Sequence, residues 1–258
     1  MNHPAAIILA AGKGTRMAGD LPKVAHEVAD APMVRWVVEA CREAGCGRLA
    51  LVVGYRQEIV RAIFAEERGL EFAVQDQQLG TGHAVASAAE LFTDFNGDVL
   101  VLAGDGPLVT ADTLRSLLHL HRESGASCTM ATTTLDDPHG YGRIVRDAQG
   151  RFERIAEEKN ATAQQKAIRE VYPSICVFKA RELFDVLRRL PRDSVTGEYY
   201  ITHVPEMLAA EGKTVELMPG VSPEEAMGVN TPAQLEIVDQ ALRRRMEAGE
   251  PGSGRALA

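Results

Sequence analysis

The chain has 258 residues, 45% hydrophobic and 25% charged, a composition that suits one large globular domain and excludes a disordered or fibrous chain. Its formal net charge of −8 argues against a broad basic face, and so against nonspecific binding to nucleic acid or to an anionic membrane. No apolar stretch is long enough to span a bilayer, and Met1-Asn2-His3-Pro4 carries no Lys or Arg ahead of the first apolar run, unlike a secretory leader. The cysteines Cys41, Cys46, Cys128 and Cys176 are scattered without metal spacing, so reduced thiols in a cytoplasmic protein are expected.

Strand and helix patterns alternate from the start, as in an α/β fold with a largely parallel sheet. Ala5–Ala10 is predicted as the first strand, and Met33–Ala44 as a helix opened by Pro32 and closed by Gly45. A strand at Arg48–Val53, a helix at Gln57–Glu67 and a short strand at Glu71–Val74 follow. Next come a small-residue helix at Thr81–Leu91, an apolar strand at Asp98–Ala103, a helix at Ala111–Glu123 and a β-branched strand at Ala126–Thr134. The pattern then changes. Tyr141–Arg146 and Arg151–Ala156 read as a hairpin, Val171–Lys179 as a strand and Ala180–Leu190 as a helix. A helix at Ile201–Glu211, a strand at Thr214–Met218 and a last helix at Pro232–Glu247, with Thr231 as its N-cap, complete the chain. One domain over residues 1–248 is expected. The Gly- and Ser-containing stretch Gly249–Ala258 is expected to be a disordered tail, and no hexapeptide period marks a β-helix.

Four segments carry chemistry. In the first, the strand runs into Leu9-Ala10-Ala11-Gly12-Lys13-Gly14-Thr15-Arg16-Met17, with Leu21-Pro22-Lys23 just beyond. Gly12 and Gly14 permit a sharp turn that brings backbone N–H groups to a ligand, and Lys13, Arg16 and Lys23 surround it with cations; this arrangement suits phosphates. It is not a Walker loop, and Met17 stands where a dinucleotide fingerprint needs its third glycine. A solvated Lys23 would contribute less than about 0.5 kcal/mol to stability.

The second segment runs from Gln75 to Ala84. Its amide side chains suit the edge of a nucleobase, and Gly80-Thr81-Gly82 opens a helix. The competing reading is a capped helix start, with Thr81 as N-cap and His83 a bystander on the surface. In the third, Asp105 emerges where a buried strand ends, a place for a divalent cation or for a simple Asp-Gly turn. In the fourth, Asn230 precedes the final helix, either as an Asx turn or as an oxygen ligand beside Asp105.

Together the strings LAAGKGTRM, LPK, QQLGTGHA, AGDGPL, DDPHGYGRIV, EEKNAT, TGEYYIT and GVN resemble the sugar-1-phosphate nucleotidyltransferases. Within them, the nearest branch is the uridylyltransferase domain of the bacterial N-acetylglucosamine-1-phosphate uridylyltransferases, or UDP-N-acetylglucosamine pyrophosphorylases. The resemblance covers nearly the whole chain. It implies a Rossmann-like nucleotidyltransferase fold: a mixed, mostly parallel sheet flanked by helices, with a small β-rich part for the sugar. It implies nucleotide contacts from Leu9, Ala10, Ala11, Gly12, Gly14, Gln75, Gly80 and Thr81, catalytic contacts to phosphate from Arg16 and Lys23, and Mg2+ held by Asp105 and Asn230. Gly142, Glu157, Tyr172 and Glu198 fall on the sugar side.

The expected reaction joins UTP to N-acetylglucosamine-1-phosphate and releases pyrophosphate, a step in the supply of cell-wall precursors. Neither nucleic acid nor membrane is an expected partner, and the oligomeric state stays open. Three departures fall on the sugar side. Ala103 stands where the family has Tyr before Gly-Asp, Tyr172 where it has Asn, and His203 where it has Asp after Tyr-Tyr-Ile-Thr. They imply altered sugar selection, and keep open transfer to another sugar-1-phosphate from UTP or dTTP. A non-catalytic nucleotide-sugar-binding protein is the rival class. The family's C-terminal acetyltransferase β-helix is not expected within this sequence.

Overall fold

The structure is a computed structural model, and it describes residues 3–17 and 19–249; the expected tail beyond Gly249 lies outside the described residues. In chain order the first half contains β1 (Ala5–Ala10), β2 (Glu27–Val28), β3 (Ala31–Pro32), α1 (Met33–Glu43), β4 (Arg48–Val53), α2 (Gln57–Ile63), β5 (Leu70–Val74), α3 (Thr81–Ala86), β6 (Asp98–Ala103) and α4 (Ala111–Ser124). The second half contains β7 (Cys128–Ala131), β8 (Thr133–Thr134), β9 (Gly142–Arg146), β10 (Phe152–Ala156), α5 (Ala163–Lys166), β11 (Glu170–Tyr172), β12 (Ile175–Lys179), α6 (Ala180–Leu187), α7 (His203–Ala210), β13 (Val215–Met218) and α8 (Pro232–Ala248).

A seven-stranded sheet in the order β13-β7-β12-β6-β1-β4-β5 forms the centre. Only β12 runs against its neighbours β6 and β7; the β1–β4, β1–β6, β4–β5 and β7–β13 pairs are parallel. The central strand β1 is apolar on both faces, as a strand covered on both sides must be. Its side chains alternate. Ala5 and Ile7 join a core that also holds α3, α6 and α7 residues, while Ala6, Ile8 and Ala10 join one that holds residues of α1, α2 and α4. A third, smaller core packs α8 against β2 and β3.

A four-stranded antiparallel sheet, β10-β9-β11-β8, stands beside the main one. The chain crosses between the two sheets twice, and both crossings correct the sequence reading. The strand expected over Ala126–Thr134 breaks at Thr132, and that expected over Val171–Lys179 breaks at Pro173-Ser174, where Ser174 takes φ +63°. At the first crossing the threonines keep strand propensity through the break; at the second, Pro173-Ser174 is itself a turn signal inside the expected strand. The helix expected over Thr81–Leu91 stops at Ala86 and resumes as a 3-10 turn at Ala89–Phe92. Helix α2 ends at Ile63, short of Glu67, and α7 begins at His203 after Ile201. The β2–β3 ribbon and α5 went unread, although Thr162 and Gln165 form a full capping box at the start of α5. All four cysteines are buried free thiols.

Candidate active site

The loop after β1, the turns after β5 and β6, and the segment before α8 converge at one end of the sheet. Gly14 has φ +69°, and a Cβ there would lie 2.7 Å from Lys23 Cβ, so glycine is what lets the Leu21-Pro22-Lys23 segment fold back onto the first loop. Lys23 Nζ then donates to Asp105 Oδ2 and, at 2.7 Å, to Asn230 Oδ1. The exposed Arg16 guanidinium donates to the same Asn230 oxygen at 2.8 Å. Asp105 and Asn230 are 125 positions apart in the chain but are pinned together, because Val229 N–H donates to the Asp105 carbonyl at 2.9 Å. Asn230 N–H donates to Gln234 Oε1 at 2.8 Å, and Thr231 caps α8 by accepting from Gln234 N–H.

The side-chain oxygens of Asp105 and Asn230 thus point at one cationic nitrogen. Two hard oxygen donors on a common point fit Mg2+, which takes few protein ligands and completes its shell with water and substrate phosphate. Among the described residues no cluster of three or more His, Cys, Asp or Glu side chains could hold a metal by itself.

Two cavities meet at Asp105. One, of about 340 Å³, is lined by Leu9, Ala11, Gly12, Lys23, Gln75, Gly80, Thr81 and Glu198, together with Gln78 and Ala103. The other, of about 410 Å³, is lined by Arg16, Gly142, Glu157, Tyr172 and Asn230, among others. Thr81, Ala103 and Asp105 line both. Among the residues singled out in the sequence, Ala10, Lys13, Gly14, His83 and His203 line neither, and Glu198, expected on the sugar side, lines the first cavity and not the second. Ala10 faces the opposite side of the sheet, and Gly14 serves the approach of Lys23. Two further surface depressions hold none of those residues.

The turn before α3 corrects the capped-helix alternative. Gly80, at φ +107°, is the N-cap, and a Cβ on it would meet the Tyr199 carbonyl at 2.5 Å. Thr81 Oγ1 instead accepts from Ile201 N–H at 3.0 Å, and Gly82 N–H donates to Tyr199 O at 2.7 Å. The Glu198-Tyr199-Tyr200-Ile201-Thr202 segment is thereby laid along the wall shared by the two cavities. His83 is no bystander, since its Nδ1 sits 3.0 Å from Gln75 Nε2. Gln78 Nε2 donates to the Ala11 carbonyl, joining the second segment to the first loop.

In the second cavity Glu157 accepts from Thr202 Oγ1 at 2.6 Å. Burial pushes its carboxyl above the usual glutamate range, against the Thr202 hydrogen bond and the nearby His203. Tyr172 is buried, and its hydroxyl donates to Cys176 Sγ at 3.0 Å, so the ring and not a polar tip faces the cavity. Tyr141 and Glu225 were missed. The Tyr141 hydroxyl reaches the Ala226 carbonyl at 3.3 Å across the cavity, and Glu225 accepts from the N–H and hydroxyl of Thr110 at the start of α4. Tyr141 stands in the string DDPHGYGRIV beside Gly142, which was the available signal; the neighbours of Glu225 carry no recognisable pattern, and only the fold brings it in.

A mostly parallel sheet whose strand ends present a cationic glycine loop, a paired carboxylate and amide, and two adjoining cavities is the framework of a nucleotidyltransferase. Residues 6–201 match the MobA-like NTP transferase domain, and the chain belongs to that family. Its similar relatives include Bifunctional protein GlmU of Geobacter metallireducens, 48% identical over 246 residues covering 95% of this chain and 52% of the relative. They also include Bifunctional protein GlmU of Geobacter sulfurreducens, 45% identical with 95% and 52% covered, and that of Pelobacter propionicus, 45% identical with 100% and 56% covered. The chain spans about half the length of these curated relatives. No described helix is long and apolar enough to cross a membrane.

Proposed function

We propose that this chain transfers a uridylyl group from UTP to N-acetylglucosamine-1-phosphate in the cytoplasm, giving UDP-N-acetylglucosamine and pyrophosphate. The observation that carries this reading is the convergence of Lys23 and Arg16 on the Asp105–Asn230 pair at the seam between two cavities. A phosphate oxygen of the sugar phosphate attacks the α-phosphorus of UTP and forms the new P–O bond. The bond from that phosphorus to the α,β-bridging oxygen breaks, and pyrophosphate leaves with the electron pair. The attacking oxygen is already anionic, so no side-chain base is required; the protein aligns two polyanions and offsets their repulsion.

In this scheme Leu9, Ala11, Gly12, Gln75, Gly80 and Thr81 hold the nucleotide, Ala10 faces away into the core, and Gly14 lets Lys23 approach. Arg16 and Lys23 stabilise charge that moves onto the leaving pyrophosphate. Gly142, Glu157 and Tyr172 surround the sugar, and Glu198, expected on the sugar side, lines the nucleotide cavity instead. Asp105 and Asn230 would hold Mg2+, which supplies charge neutralisation at the phosphates when bound.

A second reading is transfer to another hexose-1-phosphate. It is favoured by the buried Tyr172 hydroxyl, which is committed to Cys176, and by the small Ala103 side chain at the seam. A cavity lacking a partner for an acetamido group discriminates weakly. Pyrophosphate release with Mg2+, UTP or dTTP and a panel of sugar-1-phosphates tests both. The expected result is UTP preferred over dTTP, N-acetylglucosamine-1-phosphate the best acceptor, and shallow selection among hexoses. Strict selection for that acceptor refutes the second reading, and nucleotide-sugar binding without any pyrophosphate release leaves a non-catalytic binder.

A further inference from the structure

Beside Gln75, which the reaction scheme gives to the nucleotide, stands His83, which that scheme does not use. Gln75 continues from β5, is 5% exposed, and is held by its N–H on the Val53 carbonyl at 2.8 Å. Its side-chain Nε2 donates to the Gly80 carbonyl at 3.0 Å and lies 3.0 Å from His83 Nδ1. An amide nitrogen has two N–H donors and no lone pair to offer. The carbonyl of Gly80 can only accept, so it fixes which end of the amide is nitrogen. His83 Nδ1 must then accept the second N–H, which makes the ring the neutral tautomer with its proton on Nε2. The His83 ring is itself stacked near Tyr199, at 6.4 Å between centroids and 28° between planes. With both donors committed, what Gln75 has left for a ligand is Oε1, an acceptor that no donor reaches among the described residues.

We propose that His83 is a positioning residue that locks the Gln75 amide with Oε1 toward the base, so that the site selects uracil over cytosine. This rests on the proposal that UTP occupies the first cavity. The hydrogen-bonding edge of uracil has a single N–H, at N3, and an acceptor-only Gln75 can bond the base only there. In the same pose cytosine presents a lone pair at N3, against which Oε1 is repelled. The two ends of a glutamine amide are nearly equal in size, so nothing but its hydrogen bonds prevents it from turning over. The Gly80 carbonyl holds one Nε2–H and His83 the other; without the His83 acceptor the second N–H loses its partner, half of the hold on the amide is gone, and the turned form, which offers an N–H to cytosine N3, competes at the cost of the Gly80 bond alone.

The test compares kcat/KM and KM for UTP and CTP, at a fixed concentration of the best sugar-1-phosphate, in wild type, His83→Leu and His83→Asn. Melting temperatures are measured on the same preparations. His83→Leu is expected to raise KM for UTP and to lower the UTP-to-CTP ratio by about tenfold or more, the worth of one hydrogen bond to a committed partner. KM for the sugar phosphate should not move. His83→Asn, which restores an acceptor, should recover most of the ratio; His83→Ala replaces the leucine variant if that one does not fold. An unchanged ratio in a folded His83→Leu protein overturns the role of His83 while leaving UTP as substrate. Failure of wild type to use UTP with any sugar phosphate overturns both this inference and the reading beneath it.

Discussion

Replacing Lys23 by alanine leaves the Asp105 carboxylate without its nearest cation. The two side chains are 15% and 19% exposed, so the pair lies between the limits for ion pairs. Fully exposed pairs contribute about 0.2–1 kcal/mol, and breaking a fully buried one costs about 3–5 kcal/mol. Lys23 also donates to Asn230, whereas Arg16, already on that asparagine, can take up part of the lost charge; this holds the figure near the lower end. Lys23→Ala is therefore expected to lower stability by about 1–2 kcal/mol, a drop in Tm of about 2–8 °C for a chain of this size. This replaces the smaller effect expected of a solvated lysine. The assay is a double-mutant cycle of Lys23→Ala, Asp105→Asn and the pair, by urea denaturation in EDTA so that no cation substitutes for the ammonium. A coupling of about 1–2 kcal/mol is expected, alongside a fall of ~10²–10³ in kcat/KM for each single variant. Single effects that add to within about 0.3 kcal/mol would refute the pairing, and a wild-type kcat/KM in Lys23→Ala would remove the lysine from the phosphate site.

Glu157→Gln should stabilise the protein at pH 7.5 and leave it unchanged at pH 4. The folded-state pKa of Glu157 is raised by burial, so the folded chain holds that proton more tightly than the unfolded one, and stability is lost as pH climbs from the ordinary glutamate range through the raised value. Glutamine can still accept from Thr202, so urea midpoints at the two pH values isolate the charge; an equal shift at both would mean that burial of the charge is not the cause. Gly142→Ala should cost about 1–3 kcal/mol, since its Cβ would lie 2.6 Å from the core methyl Ile155 Cγ2 and β9 must shift. Steady-state kinetics should show KM rising for the sugar phosphate and not for UTP; the reverse would place Gly142 on the wrong side of Asp105.

How far the sequence discloses the site depends on how local its chemistry is. Gly12, Gly14 and Lys23 are legible because a turn and a proline-fixed approach are properties of a few adjacent residues. Asp105 and Asn230 are each legible as a polar residue at a turn, but their pairing depends on the Val229 N–H bond to Asp105 O, which no local pattern encodes. The sheet crossings at Thr132 and Ser174 escape for a different reason. At the first, threonine keeps strand propensity through the break, where Thr132 N–H donates to Met218 O; at the second, Pro173-Ser174 is a turn signal flanked by two strand-like runs that read as one, with Ser174 in the αL backbone. The sequence leaves a bystander role open for His83, because a histidine at the start of a helix has no meaning until Gln75 is placed beside it.

The two cavities differ in what they are made of, and this bears on where selectivity can change. Much of the first is backbone and small residues at strand ends: Ala11, Gly12, Gly80 and Thr81 leave little side chain to vary, and Gly80 cannot become alanine without meeting the Tyr199 carbonyl. The second is walled by longer side chains: Glu157, Tyr172 and Tyr141 on or beside strands of the smaller sheet, and Tyr200 on the segment between α6 and α7. Substitution there changes shape and hydrogen bonding without disturbing the strand ends that carry Gly12 and Asp105. Tyr172 is on β11 of the smaller sheet, Ala103 stands at the seam, and His203, the first residue of α7, lines neither cavity. Under the proposed function, a chain built this way can hold its nucleotide chemistry constant while its acceptor pocket changes, because the walls of the two cavities share only Asp105, Ala103 and Thr81.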